Sequence, residues 1–324
     1  MKFSLAKLNV VLMVLLFYPL IVLAQKDEWQ NSEVNSIARV PVHTSFFSYS
    51  SESAALAGDI KSSSDYLSID GTWKFNWVMN AGERPTDFYQ PAYNDSNWKT
   101  MSVPGIWEVN GYGDPLYVNT TYAWYGHYKN NPPLVPEDHN HVGSYRRTIT
   151  IPSNWKGKDV IVHFGSVTSN IYLWVNGKFV GYSEDSKFEA EFDVTKYLHP
   201  GENMFAFQVF RWCDGTYLEC QDFWRLCGVA RECYLYARNA KHIDDIRVTP
   251  DLDANYQNGS LTVNVKMNGA QKIGLKLLDE NNNVVASTHA VTGKSTVINV
   301  ENPRKWTAET PYLYTLITTL YNKD

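Results

Sequence analysis

The sequence has no excess of basic residues and little to suggest disorder. Twenty-nine Lys and Arg stand against 34 Asp and Glu, which gives a net charge of -5 at pH 7. This balance gives no reason to expect a nucleic-acid partner. Hydrophobic residues make up 44% of the 324 positions, which excludes a disordered chain and supplies enough apolar surface for more than one packed domain.

Long apolar runs are also scarce, and the one that exists lies at the N-terminus. It covers residues 8–23, follows two lysines, and is succeeded by the small residue Ala24. This arrangement predicts a secretory signal peptide over residues 1–24. A membrane anchor is the disfavoured alternative, because Asn9 and Pro19 leave too short a span for the roughly 20 residues that a bilayer needs. We expect an exported protein, periplasmic or extracellular, without a membrane span after cleavage.

Cysteine is rare, and all four cysteines lie in one window of the sequence: Cys213, Cys220, Cys227 and Cys233. Their spacing contains no C-x-x-C pair, which makes a structural zinc site the weakest interpretation. Export makes local disulfides possible, and free buried thiols are equally compatible with the pattern. The sequence leaves the choice between these two open.

Helical periodicity is absent over any long stretch, and the pattern is that of an all-β protein. Residues 25–50 are polar and predict an extended N-terminal arm rather than a packed element. Within 51–240, the strand over 171–175 runs into Asn176-Gly177, which predicts a tight hairpin. The following MFAFQVFRW segment carries aromatic residues on both of its faces, which is typical of a strand between two layers.

The composition changes after Ala240, and residues 241–324 predict a second, smaller β-sandwich. Apolar residues from Leu261 to Met267 alternate with polar ones, as in a sheet with one solvated face. Further strands are predicted at 273–278, 295–300 and 313–320. An immunoglobulin-like sandwich needs about seven strands and ~100 residues. We therefore expect this sandwich to be cut short, with a hairpin turn beginning at 322–324.

Acidic and aromatic side chains are concentrated just after the MFAFQVFRW strand. Asp214-Gly215 by itself predicts a β-turn. The surrounding residues offer flat apolar faces that could pack on a sugar ring and carboxylates that could accept hydrogen bonds from hydroxyls, namely Trp212, Tyr217, Phe223 and Trp224, and Asp214, Glu219 and Asp222. Carbohydrate is the expected ligand class.

Much of residues 37–324 resembles the N-terminal part of β-galactosidases of glycoside hydrolase family 2. The resemblance rests on GTWKFNW (71–77), VPGIWEVNGYGDPLYVNTTY (103–122), NPPLVPEDHNHVGSYRR, WVNGKFVGYSEDSKFEAEFDVTKYL (174–198) and FRWCDGTYLECQDFWRLCGVAREC (210–233). The final segment ENPRKWTAETPYLYTL (301–316) looks like the end of the immunoglobulin-like domain of that family. The resemblance implies a jelly-roll sugar-binding sandwich, an immunoglobulin-like sandwich and a catalytic TIM barrel.

The resemblance also implies roles for two residues. Asp214 matches an acid that contacts the galactosyl group and a bound sodium ion shared with the barrel. Asn119 matches an asparagine that lines the sugar subsite. Trp224 and Arg225 are expected to brace the loop. The implied partners are β-galactoside oligosaccharides, the barrel and further copies in a homo-oligomer, and Mg²⁺ belongs to the barrel.

Retaining glycoside hydrolysis needs two carboxylates about 5 Å apart. The family places both in the barrel, and the chain contains neither the Asn-Glu dipeptide nor the His-rich segment that accompany them. The loop pairs Glu184/Asp185 and Glu219/Asp222 show no means of raising one pKa above the other. We therefore expect the chain alone to be inactive. A non-catalytic galactoside-binding module and an inactive gene fragment remain alternatives.

Overall fold

The computed structural model describes residues 27–219, 221–269 and 272–321. The predicted signal peptide, Cys220 and the predicted turn at 322–324 lie outside these ranges. The described part is almost entirely β-strand, with one α-helix, α1 (Glu52–Ala57), and several short 3₁₀ turns. None of its helices has the length and apolarity needed to cross a bilayer. The predicted all-β class is confirmed.

The first domain contains sixteen strands. They are β1 (Ser36–Ile37), β2 (Tyr66–Ser68), β3 (Gly71–Val78), β4 (Lys99–Val103), β5 (Gly105–Ile106), β6 (Leu116–Val118), β7 (Val142–Ile151), β8 (Asp159–Phe164), β9 (Val167–Thr168), β10 (Ile171–Val175), β11 (Lys178–Ser183), β12 (Ala190–Asp193), β13 (Gly201–Phe210), β14 (Phe223–Arg225), β15 (Gly228–Val229) and β16 (Cys233–Arg238).

Two antiparallel sheets form the main sandwich. The larger has seven strands in the order β1-β11-β10-β13-β7-β3-β4, and the smaller has four in the order β12-β8-β16-β2. Between them lies a core to which both sheets contribute, including Trp73, Tyr145, Phe164, Phe207 and Leu235. Short ladders β14-β6 and β5-β15-β9 extend from the sandwich at its loops.

Strand β13 is the central element of this domain. It pairs with β10 on one side and β7 on the other. Phe205, Phe207 and Val209 point into the core between the sheets, while Phe210 belongs to a second cluster on the opposite face. The prediction of a strand buried between two layers is confirmed, and so is the β10–β11 hairpin at Asn176-Gly177.

The N-terminal arm is packed more closely than its polar sequence indicates. Trp29 is only 2% exposed and stacks on Phe210, with ring centroids 5.0 Å apart. Its backbone N–H donates to the Tyr172 hydroxyl at 3.2 Å. A little further on, β1 pairs with β11 at the edge of the large sheet. A buried aromatic residue and a short strand pairing thus attach a segment that has no periodic pattern of its own.

The second domain is a smaller sandwich of six strands. They are β17 (His242–Leu252), β18 (Gly259–Asn268), β19 (Lys272–Leu278), β20 (Val284–Ala290), β21 (Ser295–Val300) and β22 (Thr315–Tyr321). Its sheets, β17-β18-β21 and β20-β19-β22, enclose a core that includes Val263, Val265, Ile273 and Leu275. The solvated face predicted for β18 is confirmed. Sequence analysis missed β20 because this strand is mostly exposed and lacks apolar alternation.

Residues of the arm bridge the two domains. The Thr44 hydroxyl donates to the Ile246 carbonyl at 2.9 Å, and the Thr44 backbone N–H donates to the Asp245 carboxylate at 3.0 Å. Further along, Lys276 on β19 pairs with both carboxylate oxygens of Glu52 at 2.7 Å. The arm thus contacts both sandwiches.

A buried carboxylate, Glu191 on β12, attaches the arm to the small sheet. It accepts hydrogen bonds from His163 at 2.8 Å, His43 at 3.0 Å and the Tyr236 hydroxyl at 2.9 Å. Burial raises the pKa of Glu191, but the hydrogen bonds of the two histidines outweigh it and lower the pKa to about 2. The hydrogen bond with Glu191 in turn raises the pKa of His43. These contacts fix His43 and its part of the arm against the sheet.

The Glu191 cluster makes stability depend on pH. Because the pKa of Glu191 is about 2 in the fold against an ordinary 4.5, its contribution is present above pH 4.5 and is lost as the pH falls towards 2. We expect Glu191 to account for on the order of 3 kcal/mol of the loss in unfolding free energy across this interval. Urea denaturation at both ends of the interval measures it. An equally steep loss in Glu191→Gln would contradict this assignment.

Burial of Trp29 predicts a large contribution of the arm to stability. Trp29→Ala is expected to lower the unfolding free energy by about 3–5 kcal/mol, because it removes a buried aromatic ring and leaves a cavity in the core. The matched control is Trp306→Ala, since Trp306 is 60% exposed. Chemical denaturation of both variants tests the difference, and equal effects would show that the arm adds nothing to the folded domain.

Candidate functional site

The site is built where β13 ends. Arg211, Trp212 and Cys213 continue from the strand, and residues Asp214–Tyr217 then form a 3₁₀ turn. The Cys213 backbone N–H donates to the Thr216 hydroxyl at 3.1 Å, and the Thr216 N–H donates to the Cys213 carbonyl at 2.9 Å. Two reciprocal bonds thus close the turn and fix the position of Asp214.

Two fully buried asparagines hold the chain that leads into this turn. Asn140 accepts from the Trp212 N–H at 2.9 Å and donates to the Trp212 carbonyl at 3.0 Å. Asn170 accepts from the Phe210 N–H at 3.0 Å. These side chains replace the neighbouring strand that β13 lacks at this point. Sequence analysis missed both, since a buried asparagine that pairs with distant backbone leaves no local pattern.

Of the four aromatic residues expected to face a sugar, Trp212 is a core residue and Tyr217 is partly buried against the core. Trp212 is 4% exposed and packs edge-on against Trp124, with centroids 5.3 Å apart. Tyr217 also packs on Trp124, and its hydroxyl donates to the Leu134 carbonyl at 2.8 Å. The sugar-stacking expectation is wrong for Trp212, whose ring is buried beneath the turn, and for the partly buried Tyr217 it stays a prediction. Phe223 and Trp224 are each 52% exposed and remain available to a ligand.

Asp214 lies in a buried position with an unused acceptor. It is 9% exposed, and its Oδ1 atom is buried without a hydrogen-bond partner among the described residues. Its neighbour is Glu184, at the end of β11, which is 8% exposed. Glu184 accepts from the Tyr182 hydroxyl at 2.5 Å and makes a side-chain hydrogen bond with Asp214. The turn therefore brings together two carboxyl groups that are thirty positions apart in sequence.

Both carboxyl groups have raised pKa values. Burial raises the pKa of Glu184, and the adjacent Asp214 raises it further. Burial also raises the pKa of Asp214, against the effect of its hydrogen bond with Glu184. Contact between two buried carboxyl groups favours one shared proton over two charges. The expectation that Glu184 and Asp185 have no means of setting one pKa above the other is wrong for Glu184, because burial and then the neighbouring Asp214 raise its pKa.

The remaining polar residues of the loop make hydrogen bonds within the protein. Glu219 accepts from the Ser186 N–H at 2.9 Å and from the Ser186 hydroxyl, and Asp222 accepts from the Tyr117 hydroxyl. Arg225 donates to the carbonyl of Glu219 at 2.7 Å, and its other terminal nitrogen donates to the next turn of the loop. The expected bracing role of Arg225 is confirmed. Glu219 and Asp222 hydrogen-bond to other loops of the protein, whereas the sequence suggested that they bind a ligand.

Asn119 lies at the same loop region but is not joined to Asp214. It directly follows β6, whose last residue Val118 pairs with Phe223 at the start of β14. The Asn119 side chain is exposed, and no hydrogen bond links it to another described residue. Asp214 and Asn119 are thus connected through the β6–β14 ladder and the loop that carries Phe223.

Three of the four cysteines are described, and each is a buried free thiol: Cys213, Cys227 and Cys233. Burial raises their pKa values well above the ordinary range, which makes them poor nucleophiles. No disulfide joins these three residues. Within the described ranges there is also no group of three His, Cys, Asp or Glu side chains placed to hold a metal ion.

The contact between Glu184 and the turn predicts the effect of a small substitution. A Cβ at Gly215 would lie 2.8 Å from Glu184 Oε2, whereas one at Gly82 would meet nothing within 4 Å. We expect Gly215→Ala to lower the unfolding free energy by about 1–2 kcal/mol, since the buried Glu184 cannot move freely. Gly82→Ala should change it by less than about 1 kcal/mol. Urea denaturation compares the two, and equal values would place the Glu184 carboxyl group elsewhere.

Comparison with known proteins gives matches along nearly the whole described chain. Residues 66–239 match the family model described as "Glycosyl hydrolases family 2, sugar binding domain", and residues 241–324 match the model "Glycosyl hydrolases family 2". β-Galactosidases from Priestia megaterium and Halalkalibacterium halodurans are each 39% identical to this chain, over 91% and 90% of its length. The chain spans only 30% and 29% of the length of these two relatives.

Solved structures share the fold at lower identity. A β-glucuronidase from an uncultured Clostridium sp. superimposes with a TM-score of 0.61 at 21% identity, covering 79% of this chain and 42% of that one. A β-glycosidase from Bacteroides vulgatus gives 0.60 at 24% identity, covering 80% of this chain and 32% of the other. These likenesses concern the fold. The family-model matches show that the chain belongs to glycoside hydrolase family 2.

Proposed function

We propose that this chain is the N-terminal, sugar-binding part of an exported β-galactosidase that removes terminal non-reducing β-D-galactose residues with retention. The observation that carries the proposal is the nearly buried Asp214 carboxylate, held on a fixed turn with one acceptor atom unused, in a chain 39% identical to a β-galactosidase. A buried acceptor without a partner costs free energy, so it favours a ligand that brings a donor or a cation.

Asp214 and Asn119 are the residues to which we assign sugar contacts. In this proposal Asp214 contacts the galactose 6-hydroxyl both directly and through a sodium ion, and Asn119 bonds a ring hydroxyl. The unpartnered Oδ1 atom fits a sodium ligand, because hard cations take oxygen donors. The described residues offer no complete set of ligands, so further oxygen donors would come from another part of the enzyme and from the sugar itself.

The chemical step belongs, in this proposal, to a part of the parent enzyme outside the two sandwiches. Retaining hydrolysis uses a nucleophile and an acid/base carboxylate about 5 Å apart, each with its own pKa. The Glu184–Asp214 pair is buried at the base of a turn and shares its environment, which suits cation or hydroxyl binding better than acid/base exchange with a leaving group. We assign catalysis and Mg²⁺ binding to a TIM barrel of the parent enzyme. In this proposal the chain forms one side of the sugar pocket and the barrel forms the other.

Replacement of Asp214 tests the assignment in the parent enzyme. Asp214→Asn keeps the size of the side chain and removes the charge that would hold the cation. We expect kcat/KM for a chromogenic β-galactoside to fall at least about 100-fold, because a charge-assisted contact with the sugar and its cation is lost. Circular dichroism and thermal unfolding should remain close to those of the unmodified enzyme.

Asp138→Asn is the matched control, because Asp138 is an exposed acid of the same domain. It should leave kcat/KM within about twofold, since isolated surface charges contribute little. If Asp214→Asn also left the kinetics unchanged, the proposed role would be wrong. Calorimetric titration of the chain alone with galactose and lactose adds a second test: turnover of lactose by the isolated chain would contradict the assignment of catalysis to the barrel.

A further inference from the structure

A cleft of about 430 Å³ opens beside the Asp214 turn and has a distinctly cationic lining. Its walls come from the segment after β11, the end of β13 and the loop around β14. Four basic side chains line it: Lys187, Arg211, Arg225 and Arg231. A volume of this size lies within the range of small-ligand sites.

The positive charges of this cleft are not neutralised by ion pairs. Within the described ranges, none of the four basic side chains has a carboxylate oxygen within 4.0 Å. The guanidinium of Arg225 donates to backbone carbonyls at 2.7 and 2.5 Å. That of Arg231 donates to the Lys187 carbonyl at 2.9 Å. Carbonyl contacts orient these groups while leaving their charge available.

Three buried N–H donors at the cleft also lack acceptors. They are Arg211 Nε, Trp212 Nε1 and Arg225 Nε, none of which has a hydrogen-bond partner in the described structure. All three residues line the cleft. A buried donor that stays unpaired is costly. These three atoms are buried rather than open to the cleft, so recognition of a ligand there rests on the exposed parts of the four basic side chains.

Two acids, Asp185 and Glu219, line the cleft beside the four basic residues, and each makes another contact. Asp185 lies 3.9 Å from Arg39, and Glu219 accepts from Ser186. Burial raises the pKa of nearby Glu108 against the lowering effects of its backbone hydrogen bonds and of the Arg211 charge, and its carboxylate accepts from the Cys227 N–H at 2.9 Å. The cleft therefore retains an excess of positive charge.

Exposed aromatic rings lie at the same cleft. Phe223 and Trp224 line it and are each 52% exposed, and the Lys187 ammonium lies 5.1 Å from the centre of the Phe223 ring. Aromatic faces next to cationic donors match a ligand with an apolar ring face and an anionic substituent. An inorganic anion would use the cations but would leave both rings uncovered.

We propose that this cleft is a subsite for an acidic saccharide, whose carboxylate or sulfate group binds between Lys187, Arg211 and Arg225 while its ring packs on Phe223 or Trp224. The anion recognition rests on the cleft itself. Only its position next to a galactosyl residue rests on the proposed function. The substrate of the parent enzyme would then carry an acidic sugar beside the galactose that is removed.

Calorimetric titration of the purified chain tests this subsite, with glucuronate, galactose 6-sulfate, inorganic sulfate and galactose as probes. We expect the two acidic sugars to bind at least about tenfold more tightly than galactose, with affinity falling as salt is added. Lys187→Met should weaken acidic-sugar binding about tenfold through loss of charge. Arg211→Lys should weaken it similarly although it keeps the charge, because lysine lacks the planar guanidinium that binds a carboxylate or sulfate through two N–H donors at once.

Lys178→Met is the matched control, since Lys178 is exposed on the β10–β11 hairpin and lies outside the cleft. It should leave the affinities within about twofold. Equal binding of galactose and galactose 6-sulfate would overturn the proposal, and so would inorganic sulfate binding as tightly as the sugar sulfate. Acidic-sugar binding that persists while galactose alone shows none would support this subsite yet count against the galactosyl site at Asp214.

Discussion

The buried end of β13 is the constraint on which the first domain depends. This strand is covered on both faces, so its backbone groups need partners beyond the point where β7 and β10 stop. Asn140, Asn170 and the backbone of His141 supply them. Because these partners come from loops far apart in sequence, the Asp214 turn is fixed by the whole sandwich.

That same constraint explains the character of the site. A turn supported from beneath by Trp212, Tyr217 and Trp124 cannot relax to expose its acid. Asp214 is therefore held nine-tenths buried against Glu184, with one oxygen unpaired. The residues that stabilise this turn are also those that hold Asp214 in a fixed geometry, as the proposed ligand site requires.

The arm serves the architecture in a complementary way. Trp29 fills a core position, His43 pairs with Glu191, and Thr44 reaches the second sandwich. A segment with almost no regular structure thus contacts three separate parts of the molecule. Each of these three residues fills a position or completes a hydrogen bond that the sandwiches alone would leave open.

Much of this organisation was predictable from local sequence. The alternation in β18, the Asn176-Gly177 hairpin and the two apolar faces of β13 follow from side-chain periodicity and turn chemistry, which act between near neighbours. The all-β class and the two sandwiches follow in the same way. The density of acids and aromatics directed attention to the loop of Asp214, whose ligand role stays a prediction, and the motifs identified the family.

Tertiary structure alone decided which of those residues do what. It placed Trp212 in the core, engaged Glu219 and Asp222 in hydrogen bonds within the loop region, and brought Asp214 against Glu184. It also gathered the basic side chains of Lys187, Arg211, Arg225 and Arg231 around one cleft. These contacts depend on burial and on residues that are far apart in the sequence. Neither produces a periodic pattern from which sequence analysis could predict it.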